Sequence, residues 1–369
     1  MLTPFDDYPI HQTPLPVAHA GDGHPNHYDR YWFNGYAEDV YFAVGLGVYP
    51  NRGIIDASFS VVHNGVQRSV FASGLAPLDR TETKIGPISI EVVEPLRVNR
   101  VRVDAEEFGL VADLTYRART SAHEEPRQTM YSGSSLMMDV TRLTQLGTWS
   151  GTLRSGDEDI SLDRPVFGTK DRSWGIRPVG QPAPAAPQAR KHQVFFLYAP
   201  LHFEDQCLHY MVFEDERGSR WAETSVVLPV IGDDGPVVGA NLPVTHVHVE
   251  HEIRWAPGLR RSEGATLQVR GGDGDAGRIE LEPLLTFRQR GVGYSHPTWG
   301  HGNWHGDFAV GGEEFAVEDL DNTAPENIHV QQVVRVQWGD RQGLGVLEQL
   351  AIGPHAPSGF EGYFDGARA

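Results

Sequence analysis

Hydrophobic and polar residues alternate with a period of two along most of the chain, which is the signature of half-buried β-strands. Val40–Val48, Ile54–Val62, Ile88–Val93, Val98–Val103 and Leu110–Tyr116 read as strands, each bounded by Gly, Pro, Asn or Asp. After a Pro/Ala-rich stretch the pattern resumes over Val194–Tyr198, Leu208–Phe213, Ser225–Val230, Val244–Ile253, Ala265–Val269, Ile279–Phe287, Val330–Trp338 and Gly345–Ile352. His63-Asn64-Gly65, Glu216-Arg217-Gly218 and Asp234-Gly235 are placed to close hairpins. Helical periodicity is nearly absent, and only Asp139–Leu146 and Glu313–Leu320 read as short helices.

These elements predict an all-β protein of two tandem antiparallel barrels or sandwiches. The first half spans 1–178, a Pro/Ala-rich linker 179–191, and the second half 192–369. The 41 glycines and 25 prolines suit many short strands with tight turns. Gly271–Gly277 has glycines spaced as in a dinucleotide loop but lacks a strand–helix–strand context, so it reads as a hairpin tip.

Charge narrows the partners. The formal net charge is −18, with no basic cluster beyond Arg260-Arg261, which disfavours nucleic acid and anionic membrane surfaces. No apolar run is long enough to cross a bilayer, so membrane insertion is not expected. No signal peptide is recognisable and Cys207 is the one cysteine, so a cytoplasmic location is expected, with Cys207 as a small buried hydrophobe.

Four stretches could carry chemistry. Gly168–Gly175 sets an acid, two bases and a Trp between two glycines. As a strand it would turn Asp171 and Ser173 to one side and Lys170, Arg172 and Trp174 to the other. Asp171 and Trp174 would then share a pocket only if the chain bends near Gly175. A buried Asp in an apolar cavity has a raised pKa and serves as a proton donor; an Asp–Arg pair with a capping Trp is the structural alternative. Tyr294–Gly306 packs His296, His301, His305, Trp299 and Trp304 into thirteen residues and could present imidazoles and indoles to a cavity, or form a glycine-rich corner of stacked aromatics. Thr245–Glu252 alternates His246, His248, Glu250 and Glu252 on one face; His246, His248 and Glu252 would be a metal set, against a solvated His-rich strand. His27–Tyr36 is dense in aromatics, with Tyr31 and Trp32 placed to line an apolar pocket or to pack a core.

With those residues in view, the chain resembles the lipocalin-like superfamily that includes AttH-type proteins and hydroxyneurosporene synthase, the carotenoid hydratase. The resemblance rests on Asp171-x-x-Trp174-Gly175 closing the first half, the Pro-rich seam, a second all-β half, the Tyr31–Gly35 strand and the Trp299–Trp304 loop. It implies two lipocalin-like barrels, an enclosed hydrophobic cavity and chemistry without a cofactor. Arg172-Ser173 stands where the carotenoid hydratases carry a His-Asn type of pair, which leaves the exact reaction open. The expectation is a lyase, hydratase or isomerase acting on a terpenoid, steroid or polyketide-like molecule. Asp171 would be the acid, and His301 or His305 would position water or take up the proton. Trp174, Tyr31, Trp32, Tyr294, His296, Trp299 and Trp304 would contact substrate. A non-catalytic lipid or isoprenoid carrier and a metal enzyme are the alternatives, and a homodimer is left open.

Overall fold

The computed structural model describes residues 3, 6, 8–180, 193–239, 242–271 and 276–368. Nearly all of the predicted linker lies outside the described residues. Twenty-three strands follow one another: β1 (His27–Ala37), β2 (Val40–Tyr49), β3 (Ile54–His63), β4 (Val66–Leu75), β5 (Lys84–Ile85), β6 (Ile88–Glu94), β7 (Val98–Ala105), β8 (Leu110–Ala118), β9 (His123–Glu124), β10 (Gln128–Ser132), β11 (Ser135–Ser155), β12 (Glu158–Ile160), β13 (Val166–Ile176), β14 (Val194–His202), β15 (Gln206–Glu214), β16 (Arg220–Pro229), β17 (Thr245–His246), β18 (His248–Trp255), β19 (Ser262–Arg270), β20 (Gly277–Arg288), β21 (Phe308–Ala316), β22 (Val330–Trp338) and β23 (Arg341–Ile352). The protein is all-β, and its strands form two antiparallel sheets.

The first sheet runs β21-β4-β3-β2-β1-β13-β11-β8-β7-β6-β5. It curls until its ends meet, with Gly86 set against Phe308 and Val310. The second runs β17-β16-β15-β14-β23-β22-β20-β19-β18. Only Val247 separates the strands at its two edges, so this sheet also nearly closes. The Asn64-Gly65 hairpin forms as predicted, both residues having positive φ (48° and 75°), as a tight right-twisted turn requires.

Alternation sends the side chains of one strand into two different cores. In β2 all ten residues are buried. Phe42, Val44, Leu46 and Val48 fill the first barrel, while Tyr41 and Ala43 join a layer between the sheets. In β14, Phe195, Leu197, Ala199 and Leu201 fill the second barrel, and Phe196 and Tyr198 face the layer. A strand buried on both faces reads as a continuous apolar run, which explains the weak polar phase of β2 and β14. Three packed layers result: barrel core, shared interface, barrel core.

The structure corrects three expectations. Asp139–Leu146 is the middle of the long strand β11, paired with β13 on one side and β9 on the other; pairing on both edges overrides a short helical pattern. Glu313–Leu320 is the end of β21 and a 3₁₀ turn. Val244–Ile253 is broken at Val247 into β17 and β18. Among the described residues there is no α-helix.

The sheets follow the two predicted halves with one exception. β21, from the second half, pairs with β4 along its whole length and completes the first sheet. A fragment ending at residue 180 therefore exposes the β4 edge. It is expected to self-associate in size-exclusion chromatography, where the full chain does not show that exposed edge. A monomeric fragment as heat-stable as the full chain would contradict this role for β21.

Candidate functional site

Cross-strand pairing builds the site. Trp32 of β1, Asp171 of β13 and Thr144 of β11 are register neighbours, so all three point to the same face, toward the second sheet. Opposite them stand Phe196 and Tyr198 of β14, Phe213 of β15, and Glu348 and Leu350 of β23. Between the sheets they line a partly open cavity of about 170 Å³, completed by Arg142, Arg177, Tyr294 and His329. Aromatic rings and charged groups share its walls.

Asp171 is the carboxyl of this cavity. Its side chain keeps 16 % of its surface, its Oδ2 lies 3.7 Å from Arg142 Nε, and its Oδ1 is buried with no hydrogen-bond partner. Burial raises its pKa from 3.8 to about 6, against the pull of the Arg142 charge. Arg142 is mainly engaged elsewhere. Its Nε and Nη2 donate to Glu125 Oε2 at 2.8 and 2.5 Å, and Thr144 Oγ1 donates to Glu125 Oε1 at 2.7 Å. Burial alone would push Glu125 up, but Arg142 and His209 outweigh it and hold the carboxyl below its ordinary value. Glu125 is thus ionised and satisfied, whereas Asp171 is the acid left without a strong partner.

A second polar chain crosses the interface. Asn34 Nδ2 donates to Gln331 Oε1 at 2.9 Å, as does the Tyr41 hydroxyl. Gln331 Nε2 donates to Glu348 Oε2 at 2.6 Å, and His329 Nε2 meets Glu348 Oε1 at 2.6 Å. In the tautomer that donates Nε2–H to the carboxylate, His329 Nδ1 is an acceptor, as a general base needs.

Of the residues expected at the site, Asp171, Trp32 and Tyr294 line the cavity. Trp174 does not. It is 39 % exposed, on the opposite face of β13 from Asp171. The kink at Gly175 (φ 128°) follows Trp174 and leaves the alternation from 171 to 174 intact. Tyr31 points away from the interface, against the first barrel core, with the Arg172 guanidinium 3.8 Å from its ring centre. His301 lies behind the cavity wall: Nε2 meets the Val292 carbonyl at 2.7 Å, and Nδ1 accepts from Arg30 at 3.0 Å. Burial and the nearby Arg30 and Arg177 charges hold its pKa well below the ordinary value, so it stays neutral. His305 and Trp299 stack over a separate shallow crevice beside Phe71 and Asp56. His296 Nδ1 caps the backbone N–H groups of Thr298 and Trp299, and Trp304 is 49 % exposed. Most of this loop is therefore an aromatic corner.

The proposed metal set does not converge. His246 and His248 flank Val247, where β17 passes into β18, and Glu252 lies further along β18; all three are exposed, and His248 is 3.6 Å from Glu250. Among the described residues no group of three or more His, Cys, Asp or Glu is placed to hold a metal ion. Cys207 is fully buried, as expected, and burial pushes its thiol up to about 12.

Residues 2–361 match a family described as a family of unknown function (DUF8625). The chain belongs to that family. No curated protein matches it.

Larger depressions lie elsewhere. One of about 740 Å³ opens at the far end of the second barrel beside Trp255 and Phe360. There Ser358 Oγ meets His355 Nδ1 at 2.8 Å, and His355 Nε2 meets Glu214 at 3.1 Å. The backbone N–H groups of Ser358, Gly359 and Phe360 are all bonded within the turn, so none of these three is free for an oxyanion. Another of about 590 Å³ opens beside His123 and His246. Both are broad and open, and neither holds a buried carboxyl without a hydrogen bond, so the interface cavity is the better candidate.

Arg142, Arg177, Phe196, Tyr198, Phe213, His329 and Glu348 were not singled out from the sequence. A signal existed in β14, where large side chains occupy both alternating phases, as a strand covered on both faces requires.

Two measurements test this electrostatics. A carboxyl whose pKa rises on folding stabilises the protein fully below about 3.8 and loses that contribution as pH rises through about 6. Asp171→Asn should therefore raise stability at pH 7 by on the order of 2 kcal/mol and flatten the pH dependence between those values, read by thermal denaturation. Glu125→Ala leaves Arg142 buried without its partner and should lower stability by about 3 kcal/mol, read by denaturant unfolding.

Proposed function

We propose that the protein is a cofactor-independent lyase, hydratase or isomerase in which Asp171 is the general acid. The observation that carries this reading is a buried carboxyl with a raised pKa and an unbonded oxygen, lining a cavity walled by aromatic rings. Such an acid is poised to protonate a weakly basic centre such as an alkene or enol. Trp32, Tyr198 and Tyr294 present π systems that stabilise cationic character. His329, oriented by Glu348, takes the part first assigned to His301 or His305. Water activated there would quench the cation in a hydratase; in an isomerase, His329 Nδ1 would remove a proton from the neighbouring carbon. Either way the proton taken up by His329 is released to solvent, and the one given up by Asp171 is restored from it.

A cavity of about 170 Å³ suits the small end of the substrate range and is less than a lipid carrier would need. The lipocalin-like resemblance fits this reading through cofactor-free chemistry between β-layers.

Asp171→Asn should retain the fold and lose turnover by about 10²-fold or more. Wild-type turnover should fall as pH rises through about 6, where the acid loses its proton. The check is mass-spectrometric detection of product from a panel of small alkenes, enols and their hydrates. Full activity in the variant would remove Asp171 as the acid, and tight binding without product would favour the carrier.

A further inference from the structure

Two cations sit beside the cavity without a direct ion pair, although the carboxyls of Asp171 and Asp56 act on both at longer range. Arg30, 2 % exposed, and Arg177 converge on one neutral acceptor, His301 Nδ1, at 3.0 and 3.4 Å. Their other neighbours are the Val292 carbonyl, the Tyr28 ring 4.7 Å from Arg177, and the Tyr294 ring 4.9 Å from Arg30. Among the described residues neither guanidinium forms an ion pair with a carboxylate. The carboxylate of Asp56 is already taken by the Tyr49 hydroxyl at 3.1 Å and the Gly302 N–H at 2.6 Å. Glu125 is held by Arg142, and Glu348 by His329 and Gln331.

A buried guanidinium without a paired carboxylate is costly, and two side by side repel each other. Arg177 lines the cavity, so the missing partner can come from inside it. Trp32 adds another donor in need: its indole N–H is buried without an acceptor. The volume then limits the occupant. A cavity of about 150 Å³ holds one benzene ring, and this one is about 170 Å³. Phe196, Phe213 and Tyr294 supply the aromatic surface for such a ring.

We infer that the cavity binds a compact, single-ring molecule bearing one anionic group, with the anion on Arg177 and the ring between the aromatic walls. This rests on the same cavity as the proposed reaction and narrows its substrate class. It turns on charge and size and does not require Asp171 to act as an acid.

The test is calorimetric titration of the full chain with benzoate and with benzamide, its uncharged counterpart. Benzoate should bind at least about tenfold more tightly than benzamide, since a desolvated charge pair is lost in the amide. Arg177→Gln should weaken benzoate by a similar factor and leave benzamide little changed, and Arg177→Lys should restore part of the benzoate affinity. Asp171→Asn should still bind benzoate. Equal affinity for the two probes, no benzoate binding up to millimolar concentration, or unchanged benzoate affinity in Arg177→Gln would each overturn the inference. The probe comparison needs no variant, so it stands even if Arg177→Gln fails to fold. A wild-type protein that converts an uncharged substrate and ignores benzoate would remove the anion and leave the Asp171 chemistry standing. An Asp171→Asn variant with full activity that binds benzoate would do the reverse.

Discussion

Pressing two β-sheets together through faces that carry arginines obliges each buried charge to find a partner. Arg142 projects from β11 into that layer, and Glu125, from the short segment beyond β9, meets it at 2.5 Å. The pair is worth little as net stabilisation, because desolvating both ions offsets most of their attraction. Its importance is geometric. With Thr144 it ties the segment around Glu125 to β11 and fixes one wall of the interface. The Asn34–Gln331–Glu348–His329 chain does the same on the other side, crossing from the first sheet to the second. Between these two satisfied networks the sheets cannot close completely, and the cavity is what remains.

Several unsatisfied groups meet at that gap. Asp171 Oδ1, the Trp32 indole N–H and the Arg30–Arg177 pair all lack the partners that burial normally demands. Stability forgone at such a cluster is the pattern expected where a fold holds reactive or ligand-binding groups. The shared cavity also explains why the halves interlock. β21 leaves the second half to complete the first sheet, and the loop preceding it carries Tyr294 into the cavity wall and His301 behind it.

The alternation of β7 and β8 was legible because each strand is covered on one face and long enough to show its period. Asp171 was legible because an acid at that phase of β13 must face away from Lys170, whose ammonium donates to Asn99 at 2.9 Å inside the first barrel. Trp174 misled for the same reason: an odd spacing from Asp171 forbids a common face unless the strand kinks between them, and the kink came one residue late. The His-rich loop misled differently. Its imidazoles are used to cap turns and to accept from arginines, roles that composition cannot separate from catalysis.

What the sequence by itself determined is local: an all-β chain, the phase of each strand, and the side of its strand on which Asp171 stands. Those follow from the period-two backbone and from turn residues, which act over a few positions. Which strand edges pair, and what faces each strand across the interface, were decided only by the tertiary structure. Trp32 and Asp171 are 139 positions apart and become neighbours through register. Arg177, His329 and Glu348 meet them because two sheets stack face to face. Contacts of that kind depend on long-range packing, which no short-range pattern encodes.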